Sequence, residues 1–383
     1  MPTQQIDWGD GSGGKIYLSY SASTGDQSIS VSSDANTGAA SRSKTITFAT
    51  SAGSPQKTAT LTVVQPGKPN YFYTEAIAAG TFTLTVPSYV TTAMLTSISY
   101  SLDGGATWIT TNNGGSGLTI TTPTVAAGDK VMWKGTGTKL ASASSNGRYS
   151  SFRGSANYNV GGDIASLLAG DTFSLEDAQT YAFARLFDGD TKLINAENLI
   201  MTPLTVRASA YIYIFRNCTN LETAPTINAT TCNGNYPMDG MFYGCSKLVV
   251  APELKVTTLS RSCFEEMFQG CTSLTTPPPE LIATSTNTFR NYYRMFYGCT
   301  KLTTAPVIRL QTLPTYACYQ MFYNCKALSY IKCLATNISA DNALTNWVYS
   351  VPATGTFVKN PATTWPSGAN GIPSGWTVET ASS

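Results

Sequence analysis

Histidine, the commonest general base near neutral pH, is absent from all 383 positions of the chain. Its absence excludes Ser/His/Asp triads, Cys/His nucleophile pairs and histidine-ligated zinc. Most enzyme mechanisms thereby lack one of the catalytic residues that they require. We therefore expect a protein that is not an enzyme.

Cysteine is the other reactive side chain, and nine copies cannot all pair within one chain. Zinc sites typically use C-x(2–4)-C pairs, which the sequence lacks. Five cysteines instead recur at one register about 27 residues apart, which predicts a ladder of buried structural thiols. They are Cys218, Cys245, Cys271, Cys299 and Cys325. Cys232, Cys263 and Cys318 are expected to form a second, less regular column, and no metal or other cofactor is predicted.

Three further patterns could indicate a site, and each has a simpler interpretation. Residues 9–14 satisfy G-x-G-x-x-G, but a dinucleotide site needs a preceding strand and a following helix, whereas a strand pattern follows here. Asp188 and Asp190 could suggest calcium, yet the twelve-residue ligand loop is missing and a solvated turn is expected. Glu253 and Glu280 could suggest a glycosidase pair, but their recurrence in neighbouring repeats favours a surface ladder.

The strongest pattern is a repeat of 26 to 28 residues in the second half of the chain. Six segments, such as FYGCSKL and FYGCTKL, share a phenylalanine and a leucine six residues later. A fixed period of this length with a leucine frame indicates units that bury their apolar residues only by stacking. The phenylalanines are Phe187, Phe215, Phe242, Phe268, Phe296 and Phe322.

Within each repeat the spacing of apolar residues changes. In RSCFEEMFQGC, the residues Cys263, Phe264, Met267, Phe268 and Cys271 recur at helical spacing, which predicts one to two turns of helix. The segment that follows, LTTPPPEL in this repeat, contains proline and is predicted to be extended. The repeats are therefore predicted to form an α/β leucine-rich-repeat solenoid.

The residues before the repeats alternate between apolar and polar in short runs, such as KIYLSYS and TFTLTVP. This period of two predicts two all-β, immunoglobulin-like sandwiches, separated near Pro66. Trp108 and Trp133 fall within strand patterns, where a buried core position is favoured over a platform for sugars. The predicted domains are residues 1–67 and 68–163 for the sandwiches, 164–335 for the six repeats and 336–383 for a C-terminal cap.

The chain has few charged residues, and its positive and negative charges nearly balance. Charged residues make up 12% of the sequence, against about 25% in ordinary soluble domains, and the formal net charge is +2. So small an excess disfavours binding to nucleic acid or to an anionic membrane surface. No run of eighteen apolar residues occurs, so no membrane insertion is expected. The composition is typical of β-rich extracellular or virion proteins.

The repeat resembles the BspA-like leucine-rich repeats of bacterial surface proteins, in which F-x-x-C-x-x-L is followed by L-x-x-A-P and a Thr-rich return. The resemblance covers residues 181–333, and the tail from YIKCLATNIS to GIPSGWTV resembles the closing segment of such arrays in gut Bacteroidetes. The first domain is similar to BACON modules, on SVSSDANTGAASRSKTITF and TLTVVQPG. The resemblance implies a surface protein, and for the BACON-like domain it suggests carbohydrate binding.

The candidate binding residues are aromatic. Tyr243, Tyr297 and Tyr323 directly follow a repeat phenylalanine, so they would line one flank of the stack and could contact sugar rings. The alternative is that they pack on the next coil.

The expected function is non-enzymatic recognition or adhesion. Because residues 1–14 do not resemble a secretory signal, the leading interpretation is a bacteriophage virion component, a fibre or capsid decoration. Its expected partners are other virion proteins, through the N-terminal domain, and a glycan or protein on the host surface. The alternative is a bacterial cell-surface adhesin. The ligand and the oligomeric state stay open.

Overall fold

The computed structural model of the chain describes residues 3–8, 14–20, 29–33, 42–49, 58–65, 70–172, 175–284, 286 and 288–382. They belong to two compact units, Met1–Asn70 and Tyr71–Ser383. Residues 9–13, which carry most of the glycine motif, lie outside the described residues. None of the described helices is long or apolar enough to cross a bilayer.

The first unit contains two small antiparallel sheets. Its strands are β1 (Thr3–Asp7), β2 (Lys15–Tyr20), β3 (Ile29–Ser33), β4 (Arg42–Ala49) and β5 (Thr58–Gln65). One sheet has the order β1-β2-β3, and the other pairs β4 with β5. Ile16 and Leu18 lie two residues apart on β2, so they point to the same side and share a core with Trp8 and Ile46.

The second unit begins with two sheets and one helical turn. Its first elements are β6 (Phe72–Ala76), β7 (Phe82–Val86), β8 (Leu95–Ser101), β9 (Ile109–Asn112), β10 (Leu118–Thr121), β11 (Lys130–Gly137), β12 (Ser151–Gly154), β13 (Tyr158–Asp163), α1 (Ser166–Ala169) and a 3-10 turn (Gly170–Thr172). One sheet has the order β10-β7-β12, and a larger one includes β13, β6, β11, β8 and β9. Trp133 is fully buried: its ring meets Phe152 edge-on at 4.9 Å, and its indole N–H donates to Thr74 at 3.1 Å.

The repeats contribute short strands. They are β14 (Asp177–Ala178), β15 (Leu193–Met201), β16 (Thr205–Val206), β17 (Thr226–Ile227), β18 (Thr231–Cys232), β19 (Glu280–Leu281), β20 (Val307–Ile308), β21 (Tyr330–Cys333), β22 (Thr356–Lys359) and β23 (Thr377–Thr380). Parallel pairing from repeat to repeat builds the sheets β14-β16-β18 and β19-β20-β21-β22-β23.

The larger sheet continues from the first part of the second unit into the repeats. β13 pairs in parallel with β15, which pairs in parallel with β17, so the sheet has seven strands. The ring of Phe187, the first repeat phenylalanine, lies 5.9 Å from that of Phe152 and 6.1 Å from that of Phe72. The second predicted immunoglobulin-like sandwich is therefore not a closed antiparallel domain, because its sheet and core run on into the repeats.

The predicted fold class, with its α/β leucine-rich-repeat solenoid, is wrong. The only α-helix of the described residues is α1, which has four residues and ends before the first repeat phenylalanine, Phe187. Where the sequence predicts helices, each repeat has a run of tight turns. In the fourth repeat Ser262, Glu266 and Gly270 have positive φ of 57°, 53° and 76°, and the other repeats keep this spacing of four. A left-handed residue at every fourth position prevents an α-helix and folds the backbone into four-residue turns.

The backbone hydrogen bonds explain why apolar spacing misidentifies these segments. Alternate residues donate their N–H to the next repeat, as Phe264 does to Asn291 (3.0 Å) and Phe268 to Met295 (2.9 Å). The residues between them donate three positions back in their own repeat, as Met267 does to Phe264 (3.3 Å). Side chains four residues apart therefore share a face, as they do on a helix with 3.6 residues per turn. Apolar spacing alone cannot separate the two structures.

A seventh turn segment follows the six predicted repeats, inside the predicted C-terminal cap. Its residues with positive φ, at 57°, 52° and 61°, are Asn342, Asn346 and Ser350. The N–H of Asn324 donates to the carbonyl of Tyr349 at 2.8 Å, as the N–H of Gly298 does to Tyr323 at 2.9 Å. The segment therefore prolongs the stack by one repeat.

Candidate recognition face

The six repeat phenylalanines form one column along the stack. Neighbouring ring centres lie 5.3–5.7 Å apart at interplanar angles of 2–12°. Stacked rings stabilise one another beyond the apolar area that they bury. The fully buried column consists of Phe187, Phe215, Phe242, Phe268, Phe296 and Phe322.

The five repeat cysteines lie beside this column as free, fully buried thiols. Each Sγ donates to the carbonyl oxygen of the phenylalanine one repeat earlier, at 3.0–3.1 Å. Burial raises the pKa of every one of these thiols, which disfavours the thiolate needed for attack or metal binding. The five are Cys218, Cys245, Cys271, Cys299 and Cys325. Cys232, Cys263 and Cys318 are buried free thiols as well.

Of the three tyrosines predicted to face a ligand, the structure brings two together. Tyr297 and Tyr323 stack at 4.8 Å between ring centres with an interplanar angle of 4°. Tyr243 lies two repeats before Tyr297, and Gln269 occupies the position between them. The Gln269 amide donates to the Tyr243 hydroxyl at 3.4 Å, so Tyr243 is separated from the stacked pair.

Tyr349 extends the stacked pair to three rings. It lies 4.9 Å from Tyr323 at 18° and is 47% exposed. Sequence reasoning missed it because the alignment on phenylalanine ends at Phe322, and Val348 takes the equivalent position in the next turn segment. The signal was present as a spacing of 26 residues from Tyr297 to Tyr323 and again to Tyr349.

A second tyrosine row lies three residues before the repeat phenylalanines. Tyr293 and Tyr319 stack at 4.9 Å and 4°. The guanidinium groups of Arg290 and Arg294 lie 4.1 Å and 5.1 Å from the centre of the Tyr293 ring, within cation–π range. We call the two rows together the tyrosine face, which consists of Tyr293, Tyr297, Tyr319, Tyr323 and Tyr349.

The stacking decides which part of each ring a ligand can reach. Tyr323 has Tyr297 against one face and Tyr349 against the other, so its edge and hydroxyl are left for a partner. Tyr349 ends the row, and no other ring of the described residues stacks on its second face. The tyrosine face therefore presents phenol hydroxyls in a row and, at Tyr349, its most exposed ring.

Three carboxylates lie on the same side of the stack, in the third and fourth repeats. Loss of hydration, followed by the charges of Glu265 and Glu266, raises the pKa of buried Asp239 well above its usual value. Burial and the charge of Glu265 also raise the pKa of Glu266. Arg290 pairs with Glu265, and Arg294 lies 3.7 Å from Glu266. These arginines link the carboxylates to the tyrosine face.

Asp188 and Asp190, considered above as calcium ligands, are buried and engaged with side chains. Asp188 accepts hydrogen bonds from Arg185 at 2.8 Å and from Arg216 at 2.7 Å and 2.8 Å. Asp190 accepts one from the Tyr158 hydroxyl at 2.7 Å. Neither is the solvated turn residue that the sequence predicts, since both belong to the junction between the first sheets and the repeats.

Glu253 and Glu280 lie on the strand side of the stack. Arg309 donates to Glu280 at 2.5 Å and 2.8 Å and holds the pKa of that carboxyl below its usual value. Glu253 is exposed, with Lys255 at 3.8 Å. Within the part of the chain that the structure describes, no three Cys, Asp or Glu side chains are grouped to hold a metal ion.

Trp108, unlike Trp133, is only half-buried. The Lys134 ammonium lies 4.3 Å from the centre of its ring, and Tyr71 meets it edge-on at 4.7 Å. Lys134 also pairs with Asp171 at 2.9 Å. Trp108 is thus part of a local cluster on the outer side of β11.

The chemistry available at the tyrosine face is hydrogen bonding and stacking. A tyrosine combines an apolar ring with a hydroxyl that donates and accepts, which is why this residue is enriched in binding surfaces. Comparison with family models, curated proteins and solved structures finds no match to this chain.

Proposed function

We propose that this protein is a non-enzymatic recognition protein that binds a glycan or protein on a bacterial surface through the tyrosine face. The observation that carries the proposal is the pair of stacked rows on one side of the repeats. The stacked rings hold one another in place. A ligand that binds them therefore immobilises less side-chain motion, at a smaller cost in conformational entropy, than one that binds isolated exposed side chains.

The proposed location is the surface of a bacteriophage virion, as a fibre or capsid decoration. A bacterial cell surface is the alternative. Support comes from the low charge and β-rich composition and from the resemblance to Bacteroidetes surface repeats. The N-terminal unit, which is compact on its own, is proposed to dock on other virion proteins. Mass spectrometry of purified phage particles tests this location, and recovery of the chain only from bacterial outer membranes would favour the alternative.

The binding proposal is tested with labelled full-length protein on Bacteroidetes cells. Tyr349→Ala removes the most exposed ring of the tyrosine face. We expect it to weaken binding about tenfold, as loss of a binding-surface tyrosine commonly does. Tyr89→Ala is the matched control, because Tyr89 is 51% exposed and lies on a different part of the second unit. Equal binding by both variants would remove the tyrosine face from the proposal, and absence of wild-type binding would contradict the function itself.

A further inference from the structure

Three exposed lysines occupy one column of the stack. Lys192, Lys247 and Lys301 each lie five residues after a repeat phenylalanine. The turn that carries them follows the repeat cysteine in the third and fifth repeats and Asp190 in the first. In the repeats between them the same position holds Asn220 and Ser273. A lysine therefore appears at every second repeat, with a polar residue in between.

Hydrogen bonds in the adjoining column fix the alignment of these positions. The hydroxyl of Ser246 donates to the carbonyl of Thr219 at 3.3 Å, that of Thr272 to Ser246 at 3.4 Å, and that of Thr300 to Thr272 at 3.4 Å. Each of these residues directly precedes the lysine column. The amide of Asn220 donates to the carbonyl of Thr191 at 2.8 Å, which aligns the first repeat in the same way. The lysine positions are thus in register, at about twice the 5.3–5.5 Å separation of the stacked phenylalanines. Lys326 lies in the adjoining column one repeat further on.

These lysines differ from six arginines of the repeats, which form ion pairs with carboxylates. Six arginines have a carboxylate within ion-pair distance: Arg185, Arg207, Arg216, Arg290, Arg294 and Arg309. By contrast, none of the three column lysines forms an ion pair with a described carboxylate. The arginines stabilise the fold, whereas the lysines leave uncompensated positive charge on an exposed line.

We propose that this lysine column binds an acidic linear polysaccharide, whose repeated carboxylates can meet charges at regular spacing. The inference rests on the proposed function, because the column runs along the same stack as the tyrosine face. In three repeats a tyrosine and a lysine lie three or four residues apart: Tyr243 with Lys247, Tyr297 with Lys301, and Tyr323 with Lys326. Lysines attract the carboxylates, while tyrosine hydroxyls and the polar column residues bond to sugar hydroxyls.

A nucleic acid fits this surface less well. Proteins that bind single strands stack successive bases on several open aromatic faces. Here both faces of Tyr323 are covered by Tyr297 and Tyr349, so Tyr349 at the end of the row can offer a face to one base at most. Binding to a duplex needs a dense basic surface, and the net charge of this chain is only +2.

The test uses the full chain and two triple variants that remove the same charge. The column variant carries Lys192→Gln, Lys247→Gln and Lys301→Gln. The control variant carries Lys130→Gln, Lys139→Gln and Lys255→Gln, at positions elsewhere on the second unit. The probes are alginate, polygalacturonate and hyaluronate as acidic polymers, neutral dextran, and single-stranded DNA. Binding is measured by affinity electrophoresis at low and high salt, after circular dichroism has shown that both variants are folded.

We expect the wild type to bind at least one acidic polymer but not dextran, and to bind it less at high salt. The column variant should bind about tenfold more weakly and the control variant as the wild type does. No binding to any of the three polymers, equal loss in both variants, or preferential binding to DNA would overturn the inference. A wild type that binds none of the acidic polymers but binds cells in a Tyr349-dependent way would refute the inference and leave the proposed function standing.

Discussion

The thiol of Cys271 donates to the carbonyl oxygen of Phe242, one repeat earlier, at 3.1 Å. That carbonyl also accepts the N–H of Cys245 in its own repeat at 3.1 Å. All three residues are fully buried, so both bonds are shielded from solvent. The cysteine therefore connects two coils by a polar contact while filling the space of a small apolar side chain.

The free, buried thiols predict how the protein reacts with thiol reagents. All nine cysteines are buried, and burial raises the pKa of Cys271 and of its column neighbours. We expect slow labelling of the native protein and close to nine free thiols in denaturant, counted by a colorimetric thiol assay. Three or fewer thiols in denatured, unreduced protein would mean that disulfides dominate.

The phenylalanine column predicts a large cost for truncating a ring in the middle of the stack. Phe268 contacts Phe242 at 5.5 Å and Phe296 at 5.4 Å, so Phe268→Ala leaves a cavity between two rings. We expect a loss of roughly 3–5 kcal/mol in the free energy of unfolding, measured by urea denaturation. Tyr243→Ala, on the half-buried neighbour of Phe242, should cost clearly less. An unchanged midpoint for Phe268→Ala would place this ring outside the core.

Two glycines with positive φ predict different costs for the same substitution. Gly240 (φ 54°) lies against the Tyr213 ring, where a Cβ would overlap it, whereas a Cβ on Gly298 (φ 73°) would meet nothing within 4 Å. Gly298→Ala should therefore cost only about 1 kcal/mol of backbone strain. Gly240→Ala should cost about 1–3 kcal/mol more, because the ring must move. Thermal unfolding of both variants checks this, and equal melting temperatures would contradict it.

The raised pKa of Asp239 predicts that the contribution of this residue to stability decreases as pH rises. Its folded-state pKa is raised, so the folded protein binds its proton more tightly than the unfolded chain does. The resulting stabilisation is fully present below the ordinary aspartate pKa of about 3.9 and is lost as pH rises through the raised value. Asp239→Asn should therefore be more stable than the wild type at neutral pH, with the difference disappearing near pH 4. Melting curves of both proteins between about pH 4 and neutral pH test this prediction. A variant that is less stable than the wild type at neutral pH would refute it.

The sequence reveals the repeat but not its backbone. The spacing of Phe242, Phe268 and Phe296 identifies stacked units, and the structure places these rings in one column. The path between them is not encoded in apolar spacing, since Glu266 in the left-handed region is needed to distinguish a turn from a helix. A non-glycine residue with positive φ carries no clear sequence signal, so the predicted helix was wrong.

The candidate site was only partly visible in the sequence for a similar reason. Tyr297 and Tyr323 could be placed on one flank from their register, whereas Tyr349 needed an alignment that did not depend on phenylalanine. Neighbouring tyrosines cover each other's faces because their ring centres lie only 4.8 Å and 4.9 Å apart. The spacing of residues in the sequence does not reveal these distances. The environment of Asp239 depends on Glu265 in the next repeat, which is a contact created by stacking.

The alternate backbone N–H groups of the described turn segments all donate in one direction, to a carbonyl of the next repeat. The peptide groups that make these hydrogen bonds are aligned and sum to a macrodipole along the stack, as in an α-helix, with its positive end at the last turn segment. There the N–H of Asn346 donates to the side-chain oxygen of Asn370 at 2.7 Å. Asn370 thus accepts this hydrogen bond as an N-cap side chain does at the start of an α-helix. At the opposite end the carbonyl of Leu186 accepts the N–H of Phe152 at 2.8 Å. At each pole the chain itself thus bonds one of the polar groups that a further repeat would otherwise engage.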